Sequence, residues 1–308
     1  SLGSAPTSCS FLPRQDSRIN SLESLNIGCN SFGDVGVLAI AEALKSNSSL
    51  KYLNLERNLI KEEGACAIAE GLKFNSSSLM SLNLGINSLG KEGASKIAEM
   101  LKVNDSLMSL SLAANSLEIE GISAIVNALH MNTSLTSLDL RRNCFGKKEA
   151  SVIAKAIKYN SSLTALNLAD NSFGNEGVSE VVAALKINSS LMSLDLSRND
   201  ITGPGASAIA EALKVNTSLT SLNLSSNNIE QMGVITISRA LRFNPSLSQL
   251  IIVERILRAC FKELPDLAVN TESYLKVLLE LLIGKEGGQV LAKKYRMNFP
   301  VTYVGTFY

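Results

Sequence analysis

The sequence predicts an α/β solenoid, a horseshoe with a parallel inner sheet and an outer layer of helices. Three observations lead there. One stretch of sequence recurs, starting at Leu22, Leu50, Leu79, Leu107, Leu135, Leu163, Leu191 and Leu219. The step is 28 residues, with a single step of 29 between Leu50 and Leu79. A fixed period of this length marks stacked supersecondary units, each unable to bury its apolar face alone. Within each period the apolar pattern changes from alternation to helical spacing. Finally, the 308 residues are 45% hydrophobic, which supplies a continuous core.

Each unit opens with L-x-x-L-x-L-x-x-N. The inner leucine pairs, such as Leu82 and Leu84, Leu138 and Leu140, or Leu194 and Leu196, alternate with polar residues. Period-two alternation over so few residues is a short strand with one buried face. The asparagine that follows recurs at 30, 58, 87, 115, 143, 171, 199 and 227. An amide offers both donors and an acceptor, so a stacked asparagine ladder is expected to satisfy backbone groups where each strand ends.

The second half of each unit is helical. Ala94, Ile97, Ala98 and Leu101 fall at i, i+3, i+4 and i+7, and the same slots hold Val178, Val181, Val182 and Leu185. This spacing makes one apolar stripe, turned toward the strand. Gly64, Gly93, Gly121, Gly177 and Gly205 precede the stripe and fit a tight helix entry. A cation closes each helix, Lys45, Lys73, Lys102, His130, Lys158, Lys186, Lys214 or Arg242, where the macrodipole favours positive charge. His130, the single histidine, sits in that column and reads as a capping cation, not a catalytic base. Two residues on comes Asn47, Asn75, Asn104, Asn132, Asn160, Asn188, Asn216 or Asn244. These read as left-handed helix stops, and as such they also explain the N-x-S/T sequons that most of them begin.

The almost complete unit at Leu191–Asn216, L-x-x-L-x-L-x-x-N-x-x-G-x-x-G-A-x-A-I-A-x-A-L-K-x-N, resembles the ribonuclease-inhibitor type of leucine-rich repeat. The resemblance covers Leu22–Val253, about three quarters of the chain. Neighbouring strands sit about 4.8 Å apart and packed helices about 8–10 Å, so stacking both in register curves the array into a right-handed horseshoe. Similar arrays occur in ribonuclease inhibitors, innate immune sensors, activators of the Ran GTPase and bacterial effectors.

Residues 22–253 form the repeat domain. Residues 1–21, rich in Ser and carrying Pro6 and Pro13, form either a short cap or a tail. Residues 254–308 leave the repeat: Arg255 stands where a ladder asparagine is due, and Asn270–Ile283 reads as a capped helix. A mainly helical C-terminal cap is expected there, or a small partner-binding module, ending in the aromatics Phe299, Tyr303, Phe307 and Tyr308.

The formal net charge of +1 offers no electrostatic case for nucleic acid or an anionic membrane, which call for a clustered basic excess. No run of apolar residues is long enough for a membrane span. Five scattered cysteines without a C-x-x-C read as free thiols in a reducing, cytoplasmic compartment. No phosphate loop, nucleophile elbow or Cys/His metal cluster is visible. No enzyme activity, cofactor or metal is therefore expected.

The candidate partner-binding residues are the charged and aromatic departures on the concave wall: Tyr52, Glu56, Arg57, Asp139, Arg141, Arg142, Asp170, Asp195 and Arg198. Arg142, Asp170 and Arg198 share one column, one unit apart. They form either a self-satisfied ion-pair ladder or a contact surface, since Arg and Tyr are typical interface anchors. The expected function is a non-enzymatic protein-interaction scaffold, specifically a bacterial effector acting on host proteins in the host cytoplasm. The alternatives are a GTPase activator of the Ran-activator type and a sensor fragment of an innate immune receptor. The mixed, aromatic C-terminus departs from the acidic tail of the Ran activators.

Overall fold

A computed structural model describes residues 21–73 and 79–252. The expectations for residues 1–20 and 254–308, including the cap, lie outside the described residues. Among the described residues nine strands alternate with eight helices: β1 (Ser24–Asn26), α1 (Gly33–Leu44), β2 (Tyr52–Asn54), α2 (Glu62–Lys73), β3 (Ser81–Asn83), α3 (Gly90–Leu101), β4 (Ser109–Ser111), α4 (Glu118–Leu129), β5 (Ser137–Asp139), α5 (Lys147–Tyr159), β6 (Ala165–Asn167), α6 (Gly174–Leu185), β7 (Ser193–Asp195), α7 (Gly203–Leu213), β8 (Ser221–Asn223), α8 (Gln231–Leu241) and β9 (Gln249–Ile251). The strands form one parallel sheet in sequence order. The register advances one unit per strand, as in Leu138↔Leu166 and Leu166↔Leu194. The step of 29 appears as Tyr52↔Ser81 and leaves the pairing intact.

The inner leucines and the helical stripe meet in a continuous core. Leu166, Leu168, Val178, Val181 and Leu185 of one unit are all buried. At the first unit the core thins: Leu22 is exposed and Leu25 only half-buried.

The expected asparagine ladder is present. The Asn171 Oδ1 accepts from the Asn143 and Phe145 backbone N–H groups (3.0 and 3.1 Å). Its Nδ2 donates to the carbonyls of Leu140, Leu168 and Ala169. Asn143, Asn87 and Asn227 repeat the pattern. The ladder has one gap among the described residues, the buried Asn199 Oδ1, which lacks a hydrogen-bond partner.

The helix-end asparagines correct the expectation. They do not adopt left-handed backbone: Asn160 lies at φ −85, ψ 132, and none of the described members of the column has a positive φ, Asn75 lying outside the described residues. Their side chains turn inward and build a second ladder. The Asn132 Nδ2 donates to Leu101 and Asn104 carbonyls of the preceding unit, while its Oδ1 accepts from the Ser134 and Leu135 N–H groups. Asn160, Asn188, Asn216 and Asn244 do the same. A helix leaves its last carbonyls without an intrahelical partner, and here the next unit's asparagine supplies one. Because Asn104, Asn132, Asn160, Asn188 and Asn216 are buried, their sequons are closed to modification in the folded chain.

The glycines ahead of the stripe answer to packing. A Cβ on Gly121 would lie 2.9 Å from the Ala94 Cβ and 3.1 Å from the Lys91 Cα of the preceding helix. Gly93 and Gly233 stand in the same way against Ala65 and Ala206. In α5 the column holds Glu149 instead, whose Oε2 accepts from the Gly146 N–H (2.9 Å) as a helix cap.

The capping column behaves as expected. Lys45, Lys102, His130, Lys186, Lys214 and Arg242 are the C-cap residues of their helices. The His130 ring meets the Tyr159 ring edge-on at 5.8 Å.

Candidate functional site: the sheet face and its exit rim

In β2–β8 the middle leucine is buried toward the helices, while the first and third residues face away from them. The third residues form a row of which the sequence reading singled out only the charged Asp139 and Asp195. Asn54, Asn83, Asp139, Asn167, Asp195 and Asn223 each accept, through Oδ1, from the backbone N–H two residues on, at 2.8–3.1 Å. This is the side-chain turn that Asn and Asp favour. It closes each strand, and the recurrence of Asn or Asp between the inner leucines is its sequence signal.

The structure divides the candidate residues among four columns. Tyr52 is a first strand residue, exposed at the edge of β2. Asp139 and Asp195 belong to the third-residue row, flanking Asn167. Glu56 and Arg141 come two residues later, and Glu56 accepts from the Asn83 Nδ2 (3.1 Å). Arg57, Arg142, Asp170 and Arg198 directly precede the ladder asparagine, at the rim where the chain leaves the sheet. Tyr52, Glu56 and Arg57 stand three strands away from the second group, roughly 14 Å.

The rim column is entirely left-handed: Cys29, Arg57, Ile86, Ala114, Arg142, Asp170, Arg198 and Ser226 all have φ between 49 and 63. Only glycine reaches this region at no cost; other residues pay about 1–2 kcal/mol. Each turn is held by the next unit, as where the Arg142 N–H donates to the Ala169 carbonyl and the Asp170 N–H to that of Ser197. The column carries a wide range of side chains, with no glycine to mark it in the sequence.

The ion-pair question receives a mixed answer. The Arg142 Nε donates to the Asp170 Oδ2 at 2.6 Å, while the Arg198 Nη1 stands 4.0 Å from the same oxygen. One carboxylate thus serves two guanidinium groups, and Arg142 and Arg198 remain 57% and 60% exposed. Arg141 pairs with Asp139 at 3.3 Å. Between the rows runs a shallow open trough of about 490 Å³, with Asn83, Ser111, Asp139, Arg141, Asn167 and Asp195 among its lining residues.

Burial pushes the Asp139 carboxyl above its ordinary pKa. The Arg141 N–H, the Arg141 charge and the Ser111 hydroxyl pull it back, and nearby Asp195 adds to the rise. A carboxyl that holds its proton more tightly folded than unfolded costs stability as pH climbs from the ordinary carboxylate value through the raised one. Asp139→Asn removes that cost and keeps an oxygen for the Arg141 N–H. It is expected to raise stability at neutral pH by about 1 kcal/mol, the usual size of a change toward a repeat consensus. The gain should shrink as pH falls toward about 4, which thermal melts of both proteins across pH would show.

Among the described residues no group of His, Cys, Asp or Glu could hold a metal ion. Nor is any helix among them long and apolar enough to cross a membrane.

The profile described as Leucine Rich repeat matches residues 18–41, 46–69, 75–98, 132–154, 159–182, 188–210 and 215–238, more than half of the chain. No curated protein matches it. Among solved structures, Leiomodin-1 actin-binding site 2 is 20% identical with a TM-score of 0.42, over 58% of this chain and 97% of that one. An internalin (InlF) from Listeria monocytogenes is 21% identical with a TM-score of 0.45, over 76% of this chain and 62% of that one. The leucine-rich repeat-containing protein LegL7 from Legionella pneumophila is 19% identical with a TM-score of 0.51, over 76% and 83% of the two chains. At this identity the last likeness speaks for the fold alone.

Proposed function

The chain belongs to the leucine-rich repeat family, and from that premise we propose that it is a non-enzymatic scaffold that binds a protein partner. The exit rim of the central units is the contact surface. The observation that carries this reading is the exposed Arg142–Asp170–Arg198 set, in which two guanidinium groups share one carboxylate. That arrangement leaves a local positive excess on a backbone fixed by inter-unit hydrogen bonds. Rigid, exposed arginines suit recognition of carboxylates, because the guanidinium fork is pre-organised. Arg141 and Tyr52 extend the surface as further anchors. The partner is expected to present acidic side chains.

We place this scaffold in a reducing cytoplasm, as a bacterial effector acting on host proteins. The near-uniform repeats and the C-terminal sequence that leaves the array support that assignment.

The test is recovery of partners from host lysate by the wild type and by Arg142→Glu/Arg198→Glu. Both side chains are exposed, so the fold should survive the change. At least tenfold weaker recovery by the variant is expected, about 1.4 kcal/mol. Equal recovery would refute the rim as the contact surface.

A further inference from the structure

A second surface lies on the opposite edge of the array, where each helix ends and the next strand begins. Between the capping cation and the buried asparagine, one residue per unit points outward. In successive units these are Val103, Met131, Tyr159, Ile187, Val215 and Phe243, each 56–68% exposed. The asparagine that follows each one is buried and the cation before it is exposed, so the array itself gives these side chains no cover. Met108 and Met192, at the strand entry on the same edge, are 41% and 49% exposed. The result is an apolar column running beside a column of cations.

The acidic residues nearest that edge are unevenly spread. In α1, α2 and α7 a glutamate one helical turn back pairs with the cation, Glu42 with Lys45, Glu70 with Lys73 and Glu211 with Lys214. In α4, α5 and α6 the same slot is Asn127, Lys155 and Ala183. The centre of the edge therefore carries Lys155, Lys158 and Lys186 around Tyr159 and Ile187, and Lys158 lies over the Tyr159 ring at 5.1 Å. The overall charge near neutrality hides this segregation.

We propose that the helix-end edge docks onto an anionic lipid bilayer, with the apolar column entering the interface and the flanking cations meeting headgroup phosphates and carboxylates. Charge and shape both select this occupant. Interfacial binding combines buried apolar area with attraction to anionic lipid, and long cationic side chains reach the headgroups from beside apolar ones. Strands about 4.8 Å apart and helices about 8–10 Å apart can stack only if the array bends around an axis parallel to the strands. Points at one height along the strands then follow an arc lying in a plane. A flat bilayer touches the whole arc, whereas a straight helical peptide touches a few units of it. A second copy of the chain would bring like charges together.

The test is co-sedimentation with vesicles of phosphatidylcholine alone and with equimolar phosphatidylcholine and phosphatidylserine. The wild type should sediment with the mixed vesicles, far less with the neutral ones, and progressively less as salt rises. Tyr159→Ser/Ile187→Ser and Lys158→Glu/Lys186→Glu should each lower binding at least tenfold while leaving the thermal melt close to that of the wild type. The proposal is overturned if the wild type ignores the mixed vesicles, or if both variants bind as it does. It is equally overturned if this edge captures a synthetic Glu/Leu amphipathic helix but no vesicles, which would assign it to an acidic protein.

Discussion

Replacing Asn171 with alanine is expected to cost about 3 kcal/mol of folding stability, far more than a surface amide would. The side chain is buried and makes five hydrogen bonds to backbone, two accepted and three donated. A typical bond adds only about 1 kcal/mol net, but a buried group left without its partner costs about 1–3 kcal/mol. Alanine strands the Asn143 and Phe145 N–H groups together, inside a turn that the next unit was holding. Asn171→Asp is the informative companion. It keeps the acceptor for both N–H groups and sets a carboxylate against three carbonyls, so it too should destabilise, and more at neutral pH than in acid. Urea unfolding of the three proteins would check this. A loss under 1 kcal/mol for Asn171→Ala would mean that water replaces the ladder at little cost.

The second large effect is expected at Gly121. Leucine there should cost about 3 kcal/mol, at the upper end for overpacking. Even a single Cβ would meet the Ala94 Cβ at 2.9 Å and the Lys91 Cα at 3.1 Å, so α4 has to move off α3. Moving it disturbs the core facing Ile122 and Ile125, both fully buried. A paired change separates close approach from glycine's own backbone effects. Gly121→Ala should destabilise, and adding Ala94→Gly should recover part of the loss despite placing another glycine in a helix. Were the double variant worse by the sum of the two single changes, contact between these positions would not be what the glycine serves.

How much of this was readable beforehand depended on whether one residue type had one physical meaning. Leu166 and Val178 did: period and polarity placed them in the core, and they lie there. Asn171 did as well, because an amide following an inner strand has few other uses. Asn160 did not. Asparagine at a helix end suits left-handed backbone or an inward hydrogen bond equally, and only the neighbouring unit decides between them. What decides is the Leu129 carbonyl, left open by α4 and 2.8 Å from the Asn160 Nδ2. Arg142 lies further from reach. Its left-handed turn is imposed by a hydrogen bond to Ala169, 27 residues downstream, and its own side chain says nothing of it. Asp139 and Asp195 were singled out as charged departures. Their oxygens prove to close strand ends as the asparagines of their row do, and that duty comes before any partner.

Glu149 gives the array a grain that its even spacing conceals. Wherever the glycine column is kept, adjoining helices can close on one another. At this one joint a glutamate stands beside α4, and α4 offers Ile122 where the other helices offer alanine (Ala65, Ala94, Ala150, Ala206) or valine (Val37, Val178, Val234). A crevice of about 470 Å³ opens beside it, lined by Ser116, Glu118, Ile119, Cys144, Phe145 and Glu149 among others. In a linear stack each unit is stabilised only by its neighbours, and at this seam the helices meet through different side chains while the sheet runs on unbroken, Leu110 pairing with Leu138. The rim arginines and the central lysines of the opposite edge ride on the same side of that seam.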